Sequence, residues 1–506
     1  MRYVLDAAQM KAIDSYTIEQ IGIDSMVLME RAALAVADAM TECVPLPAKI
    51  ISVCGMGNNG GDGIAAARIL AERGYQVSIC LVGNADKASE GCKRQLMIAK
   101  RLGLTMSNQM ESAEYNGIID ALFGIGITRE ITGDYMEAVQ WINEQNAYVV
   151  SVDMPSGIHT DTGQVCGVAV KAAQTVTFGY EKTGLLLYLG REYAGKVTIA
   201  DIGFCDISSV KKLLNPRQIT YTENDLNKLP KRMAHSHKGT YGSVLVIAGC
   251  EGMSGACYMA AKAAYRMGAG LVQVFTVESN RVILQTALPE AVVSTYETEE
   301  DFEALEEYYK KASSVVLGCG IGQSKRSVRL VQEVLRLQQK YGEKGLVLDA
   351  DGINILAGLS PYVRREGTKS FYQMPEGCIL TPHLREMARL SAKDITEIKN
   401  NMTGNTAALA AEMPGCVVVA KDASTVVAGE NNIYLNQSGC EAMATGGSGD
   451  VLSGIIGGLL AQKMPLEEAA RLGVYVHGLA GENAAKQRSG YSVMAGDLIE
   501  SIGIYE

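Results

Sequence analysis

Short apolar runs alternate with helix-like patterns along this chain, and that alternation leaves few folds open. In the first half Lys49–Cys54, Gln76–Val82, Gly117–Phe123, Tyr148–Val152 and Thr175–Phe178 read as strands. Helices are expected between them over Asp62–Arg73, Lys87–Leu102 and Tyr135–Gln145. A strand that is apolar along its whole length is buried on both faces, and an intervening helix supplies the crossover that parallel pairing needs. The pattern fades after Ile202 in the polar stretch Asp206–Pro230 and restarts at Ser243. Further strands are expected at Ser243–Ala248, Leu271–Val277, Ser314–Leu317, Gly345–Asp349, Cys378–Leu380 and Val417–Ala420. Helices are expected at Gly255–Arg266, Ser327–Lys340 and Val451–Gln462. The fold class is therefore α/β with two domains, 1–210 and 217–506, joined near residues 205–220, where Asn215-Pro216 interrupts any regular element.

Composition narrows the partners. Asp and Glu outnumber Lys and Arg by 56 to 46, for a net charge of −10, and no long basic run occurs, so no nucleic-acid surface is expected. A small anionic ligand stays open, because backbone amides at helix starts hold phosphates with little help from side-chain charge. The 12 cysteines are scattered with no Cys-x-x-Cys pair. They read as reduced thiols of a cytoplasmic chain, not as a disulfide framework or a zinc site. Met1–Gln20 mixes Asp6, Lys11, Asp14 and Glu19 with apolar residues, unlike a signal peptide. Val451–Gln462 is too short and too rich in glycine to span a bilayer, so no membrane is expected either.

The first chemical signal is Gly55-Met56-Gly57-Asn58-Asn59-Gly60-Gly61-Asp62-Gly63, between a strand and a helix. Glycines let the backbone turn sharply and approach a ligand, and the helix start presents unpaired N–H groups to an anion. A plain turn with Asp62 as a cap would not need the asparagines. Two more strand ends carry acids: Asp120 before Gly124-Ile125-Gly126-Ile127-Thr128-Arg129-Glu130, and Asp153 before Met154-Pro155-Ser156-Gly157. Ligands of open α/β sheets sit in the crevice at the carboxyl ends of the strands.

These segments resemble the NAD(P)HX epimerase family over most of residues 1–205. The resemblance implies a Rossmann-like three-layer fold and interconversion of the R and S hydrates of NADH and NADPH (NADHX and NADPHX). It implies substrate contacts from Asn58, Asn59, Gly60, Gly61 and Asp62, from Gly124 through Glu130, and from Asp153. It also implies a potassium ion held by Asn59, Asp120 and Ser156. Inverting a ring carbon needs acid–base help, and Asp153 is the expected proton-handling group. Orienting the ring or the ribose is its alternative role.

The second signal is Ala444-Thr445-Gly446-Gly447-Ser448-Gly449-Asp450 ahead of an apolar helix. Glycines before a helix make a cradle for anionic oxygens, with Asp450 beside any phosphate bound there. An N-cap would explain the Asp but not the glycines. The segment resembles the anion hole of ribokinase-like kinases. Together with His237-Lys238-Gly239, Gly252–Ala256, Gly318–Gly322, Thr381-Pro382-His383 and Lys421–Thr425, it looks like the ADP-dependent NAD(P)HX dehydratase family over about 235–500.

That second resemblance implies hydrate contacts from Ala256, Gly322, His383 and Asp450, with Asp450 catalytic. It implies nucleotide contacts from Lys421, Asp422, Ala423, Ser424 and Thr425 and from Gly446, Gly447, Ser448 and Gly449. ADP is the implied co-substrate and magnesium the implied ion. His477, inside a helical pattern, reads as a packing residue. A homo-oligomer is expected, as domains of this kind commonly assemble symmetrically. The rival reading is a ribokinase-like vitamin kinase carrying an accessory N-terminal binding domain.

Overall fold

A computed structural model describes residues 1–110, 113–342, 344–359 and 374–503, the side chains of 212 and 213 excepted. The chain divides into two compact units, Tyr3–Gln218 and Ile219–Glu506, the second also taking in Met1 and Arg2.

The first unit is built on seven strands: β1 (Lys49–Cys54), β2 (Gln76–Leu81), β3 (Thr105–Ser107), β4 (Gly117–Ala121), β5 (Tyr148–Val152), β6 (Gln174–Phe178) and β7 (Lys196–Ala200). They pair in parallel in the order β3-β2-β1-β4-β5-β6-β7. The direction of winding reverses between β1 and β4, which opens a crevice above their carboxyl ends. Register there sets Val53 beside Asp120, and Asp120 beside Ser151.

The principal helices of this unit are α1 (Ala7–Tyr16), α2 (Ser25–Cys43), α3 (Asn58–Glu72), α4 (Glu90–Arg101) and α5 (Asp134–Glu144). Successive strand residues face opposite sides of a sheet, so each strand feeds two cores. Ile50 and Ile119 join Val36 of α2 and Ile64 of α3 on one side. Ile51 and Ile118 join Val139 and Ile142 of α5 on the other.

The second unit carries β8 (Ser243–Ile247), β9 (Leu271–Val277), β10 (Val292–Tyr296), β11 (Ser314–Leu317), β12 (Gly345–Leu348), β13 (Cys378–Leu380), β14 (Val417–Ala420), β15 (Val426–Ala428) and β16 (Ile433–Leu435). Their order is β10-β9-β8-β11-β12-β13-β14-β15-β16, parallel up to β14 and antiparallel beyond it. The helices that matter here are α6 (Ser254–Arg266), α7 (Lys325–Tyr341), α8 (Leu384–Ser391), α9 (Ser448–Ala461) and α10 (Leu466–Gln487). The middle of α9 is buried on every side, from Val451 to Ala461. Among the described residues no helix is long and apolar enough to cross a membrane.

Two helix starts correct the sequence reading. The first begins at Asn58, not at Asp62, so Asn58–Asp62 form its opening turn. Gly60 makes this fit: a Cβ there would lie 1.8 Å from the carbonyl oxygen of Gly55. The last glycine-rich segment is likewise part helix, since α9 opens at Ser448 after Gly447 in the left-handed region at φ +91°. Asp450 therefore sits inside the first turn of α9 and is not its N-cap.

Candidate active sites

In the first unit the acids gather over β1, β4 and β5. Asp153 follows β5 directly and takes a left-handed backbone, φ +65°. Its Oδ1 accepts from Lys182 Nζ at 2.7 Å, from Thr177 Oγ1 at 3.2 Å and from the Phe178 amide at 3.2 Å. Among the described residues Oδ2 has no hydrogen-bond partner. Asp62 of α3 faces the same place; burial, then the charges of Asp153 and Asp14, push its carboxyl well above the ordinary range. Asp14 of α1 is raised by burial and by Asp153.

Beside it, Asp120 at the end of β4 is fully buried. It accepts from Ser151 Oγ at 2.7 Å, from the Ser156 amide at 2.9 Å and from Ser156 Oγ at 2.5 Å. Burial raises its pKa against the pull of these bonds. Ser156 Oγ also accepts from the Phe123 amide at 2.9 Å, which ties this loop to the one that follows β4. Asn59 meets the loop after β4: its Oδ1 lies 2.9 Å from where a Cβ on Gly124 would stand, and its Nδ2 is buried with no hydrogen-bond partner among the described residues.

The second unit assembles its site from five strand ends. Ala256 lies past β8 in the first turn of α6, Gly318–Gly322 follows β11, Asp349 follows β12, His383 lies past β13, and Lys421 follows β14. The Lys421 amide donates to Pro382 O at 2.8 Å, which sets His383 and Lys421 side by side. Asp349 accepts from Lys421 Nζ at 2.6 Å and from Ser453 Oγ of α9 at 2.7 Å. Burial would lift the Asp349 carboxyl, but Lys421 holds it below its usual value.

Asp450 stands opposite. Burial, then the charge of Asp349, pushes its carboxyl up to about 6. Ligand atoms of Asp450, Asp349 and Cys319 all lie within 4.8 Å of one another. Burial and the nearby Asp450 keep Cys319 a thiol. Lys421 Nζ lies 3.3 Å from where a Cβ on Gly449 would be, so the ammonium reaches the glycine-rich helix start.

His383 has a local job as well. Its Nδ1 accepts from the amides of Arg385 at 3.1 Å and Glu386 at 3.3 Å, capping α8, and its Nε2 lies 3.3 Å from Glu386 Oε1. Burial pushes Glu386 up to about 7. His477 of α10 packs as expected, but its Nε2 also meets Ser448 Oγ at 3.3 Å, and burial pushes its pKa down to about 4. A neutral imidazole thus braces the start of α9.

A family model described as NAD(P)H-hydrate dehydratase matches residues 244–503, and one described as YjeF-related protein N-terminus matches 25–184. The bifunctional NAD(P)H-hydrate repair enzyme of Thermofilum pendens is 35% identical, over 96% of this chain and 92% of its own length. This chain belongs to the bifunctional NAD(P)H-hydrate repair enzymes. The relative of that name from Coxiella burnetii is 34% identical over 98% of both chains. A ribokinase-like superfamily protein from Enterococcus faecalis has 29% identity and a TM-score of 0.50, covering 57% of this chain and 95% of its own.

In this NAD(P)H-hydrate repair enzyme the residues singled out from sequence fall in two groups. Asn59, Asp62, Asp120, Gly124, Asp153 and Ser156 gather at the crevice of the first unit, whereas Asn58 is exposed at the start of α3 and Gly60 and Gly61 pack against Gly55 and against Met29 and Cys92. Ile127 turns its side chain into the core, while Gly126, Thr128, Arg129 and Glu130 are exposed on the same loop. In the second unit Ala256, Gly322, His383, Lys421, Gly449 and Asp450 stand at the strand ends. Asp422 and Ala423 continue into an exposed turn, and Ser424 is buried. Sequence reasoning passed over Asp14, Lys182, Cys319 and Asp349. Asp349 closes an apolar run at a strand end, as Asp120 does, and that signal was there to read.

Proposed function

We propose that the domain expected over residues 1–210 epimerises R and S hydrates of NADH and NADPH, and that the one over 217–506 dehydrates the S form at the expense of ADP. The observation that carries this reading is Asp450 in the first turn of a glycine-rich helix, faced by the Asp349–Lys421 pair. That arrangement suits phosphoryl transfer to a hydroxyl, where catalysis is mostly positioning and charge stabilisation. Asp450 takes the proton of the hydrate's hydroxyl. The freed oxygen bonds to the terminal phosphorus of ADP, and the bond from that phosphorus to AMP breaks. The phosphate then leaves the ring carbon with its oxygen, a proton leaves the neighbouring carbon, and the double bond of the reduced ring returns.

Amides from Gly446, Gly447, Ser448 and Gly449 steady the phosphate oxygens, and Lys421 adds a positive charge beside them. Lys421, Asp422, Ala423, Ser424 and Thr425 line the nucleotide, while Ala256, Gly322 and His383 hold the hydrate. Asp349, beside Asp450, is the carboxylate that would hold a magnesium ion, which supplies neutralisation of the nucleotide's phosphates and leaves Asp450 free to take the proton.

In the first unit Asp153 moves the proton for inversion, with Asn58–Asp62 and Gly124–Glu130 around the hydrate. Asn59, Asp120 and Ser156 would hold a potassium ion. Asn59 Nδ2, buried with no hydrogen-bond partner among the described residues, supports this, since exchanging the two ends of that amide would offer a buried oxygen to a cation. Oxygen donors of low total charge suit a hard monovalent cation, which supplies positive charge near the ligand's phosphates. The reading includes a cytoplasmic location, which 12 unpaired cysteines support, and a homo-oligomer acting on small molecules.

The test mixes R and S hydrates with the protein, ADP and magnesium and follows the returning absorbance of the reduced ring. Asp450→Asn is expected to abolish recovery of both forms. Asp153→Asn is expected to spare the S form and leave the R form at its spontaneous rate. Free phosphate and AMP should appear in step with the reduced ring; a phosphorylated product that accumulates instead would favour the vitamin-kinase reading.

A further inference from the structure

The most constrained cation of the first unit is Lys182. Its side chain is fully buried, while that of Asp153, its partner, is 13% exposed toward the crevice. An ammonium has three N–H donors, and all three are used: Asp153 Oδ1 at 2.7 Å, Thr177 Oγ1 at 2.8 Å and Phe178 O at 2.8 Å. Thr177 Oγ1 in turn donates to Asp153 Oδ1 at 3.2 Å, so lysine, threonine and aspartate close a triangle.

The chain path that delivers Lys182 is equally fixed. After β6, Gly179 turns in the left-handed region at φ +67°, and the Tyr180 amide donates to Phe178 O at 2.7 Å. Glu181 and Lys182 then pair in parallel with Val4 and Leu5 of the N-terminal strand. A buried ammonium held this way is costly to place unless its charge is matched, and burial does lower its pKa. The charged groups around the pair are Asp153, Asp62 and Asp14 on one side and Glu181 on the other.

We infer that Lys182 is the positioning residue of the first site: it pins Asp153 by Oδ1 and leaves Oδ2 to work on the hydrate. The inference rests on the epimerase reading above and adds to it how the working carboxylate is aimed. Three donors converge on one oxygen, from a lysine, a threonine and a backbone amide, and none reaches the other. Without the lysine only the two longer bonds, from Thr177 Oγ1 and the Phe178 amide at 3.2 Å each, hold Oδ1, and the carboxylate faces Asp62 and Asp14 with no buried cation beside it. Such a residue governs turnover more than binding, because the ligand's phosphates are gripped elsewhere, at the start of α3.

The experiment uses the full chain without ADP and follows conversion of R into S hydrate by a stereoisomer-resolving separation. Lys182→Met is expected to lower kcat at least 30-fold with KM within about twofold. Lys182→Gln, which keeps donors but no charge, should lose at least tenfold. S-hydrate dehydration with ADP, measured on the same preparations, should be unchanged. The inference is overturned if Lys182→Met keeps kcat within threefold or if it changes only KM. Full R-form conversion by Asp153→Asn alone would instead sink the epimerase reading, and this inference with it.

Discussion

Lys421 Nζ and Asp349 Oδ1 lie 2.6 Å apart across 72 residues of sequence, with Asp349 buried. Removing one member of such a pair leaves the other charged and unmatched, which costs about 3–5 kcal/mol. Lys421→Met should therefore destabilise the second unit by about that amount in a denaturant titration, besides abolishing dehydration. Asp349→Asn together with Lys421→Met should recover most of the stability and none of the activity.

Asp450 has to be ionised to accept a proton, and its pKa stands at about 6. Dehydration of the S hydrate should fall tenfold per pH unit below about pH 6, with a plateau above, in a kcat/KM profile for the hydrate. The sign for stability is opposite. A folded-state pKa raised above the unfolded value means that stability is lost as pH rises through that interval, from about 4 to about 6. Asp450→Asn should thus stabilise the protein at pH 7 by on the order of 2 kcal/mol and leave it unchanged at pH 3.5, read from paired unfolding curves.

Gly60→Ala puts a methyl group 1.8 Å from the Gly55 carbonyl oxygen, where both partners are backbone and neither can swing aside. An alanine within a helix usually stabilises by about 1 kcal/mol relative to glycine. Here the clash should reverse the sign, with a loss of about 3 kcal/mol or more in the first unit. R-form conversion should fall sharply while S-form dehydration persists. Undiminished R-form conversion would mean that α3 does not start against Gly55 as described.

Replacing potassium with tetramethylammonium, which is too large for a pocket of side-chain oxygens, should slow R-to-S conversion and spare dehydration. Ser156→Ala removes the hydroxyl that joins Asp120 to the Phe123 amide, and should abolish the potassium response. A conversion rate indifferent to the cation in the unsubstituted protein would remove the ion from the first site.

Much of this was legible in the sequence because buried parallel strands are continuous apolar runs: β1, β5, β11 and β14 stand where those runs do. Short or edge strands were not, since Thr105–Ser107, Val292–Tyr296 and Lys196–Ala200 are partly solvated and carry no such run. The helix starts at Asn58 and Ser448 were read as loop because their glycines disfavour helix locally; tight backbone packing, visible only in three dimensions, overrides that preference. Motif residues were found by pattern. Their partners were not, because Lys182 lies 29 residues beyond Asp153, and Asp349 lies 72 before Lys421, distances that no periodicity reports.

The backbone of Asp153, at φ +65°, admits few side chains without strain: glycine, asparagine and aspartate sit there most easily. Evolution is left a narrow corridor at this position. A lineage that abandons the chemistry has little room to drift except toward asparagine or glycine, each a single-step loss of the acid that keeps the loop's shape. Either residue in an otherwise intact descendant would mark a scaffold retired from turnover, retained for something it still grips.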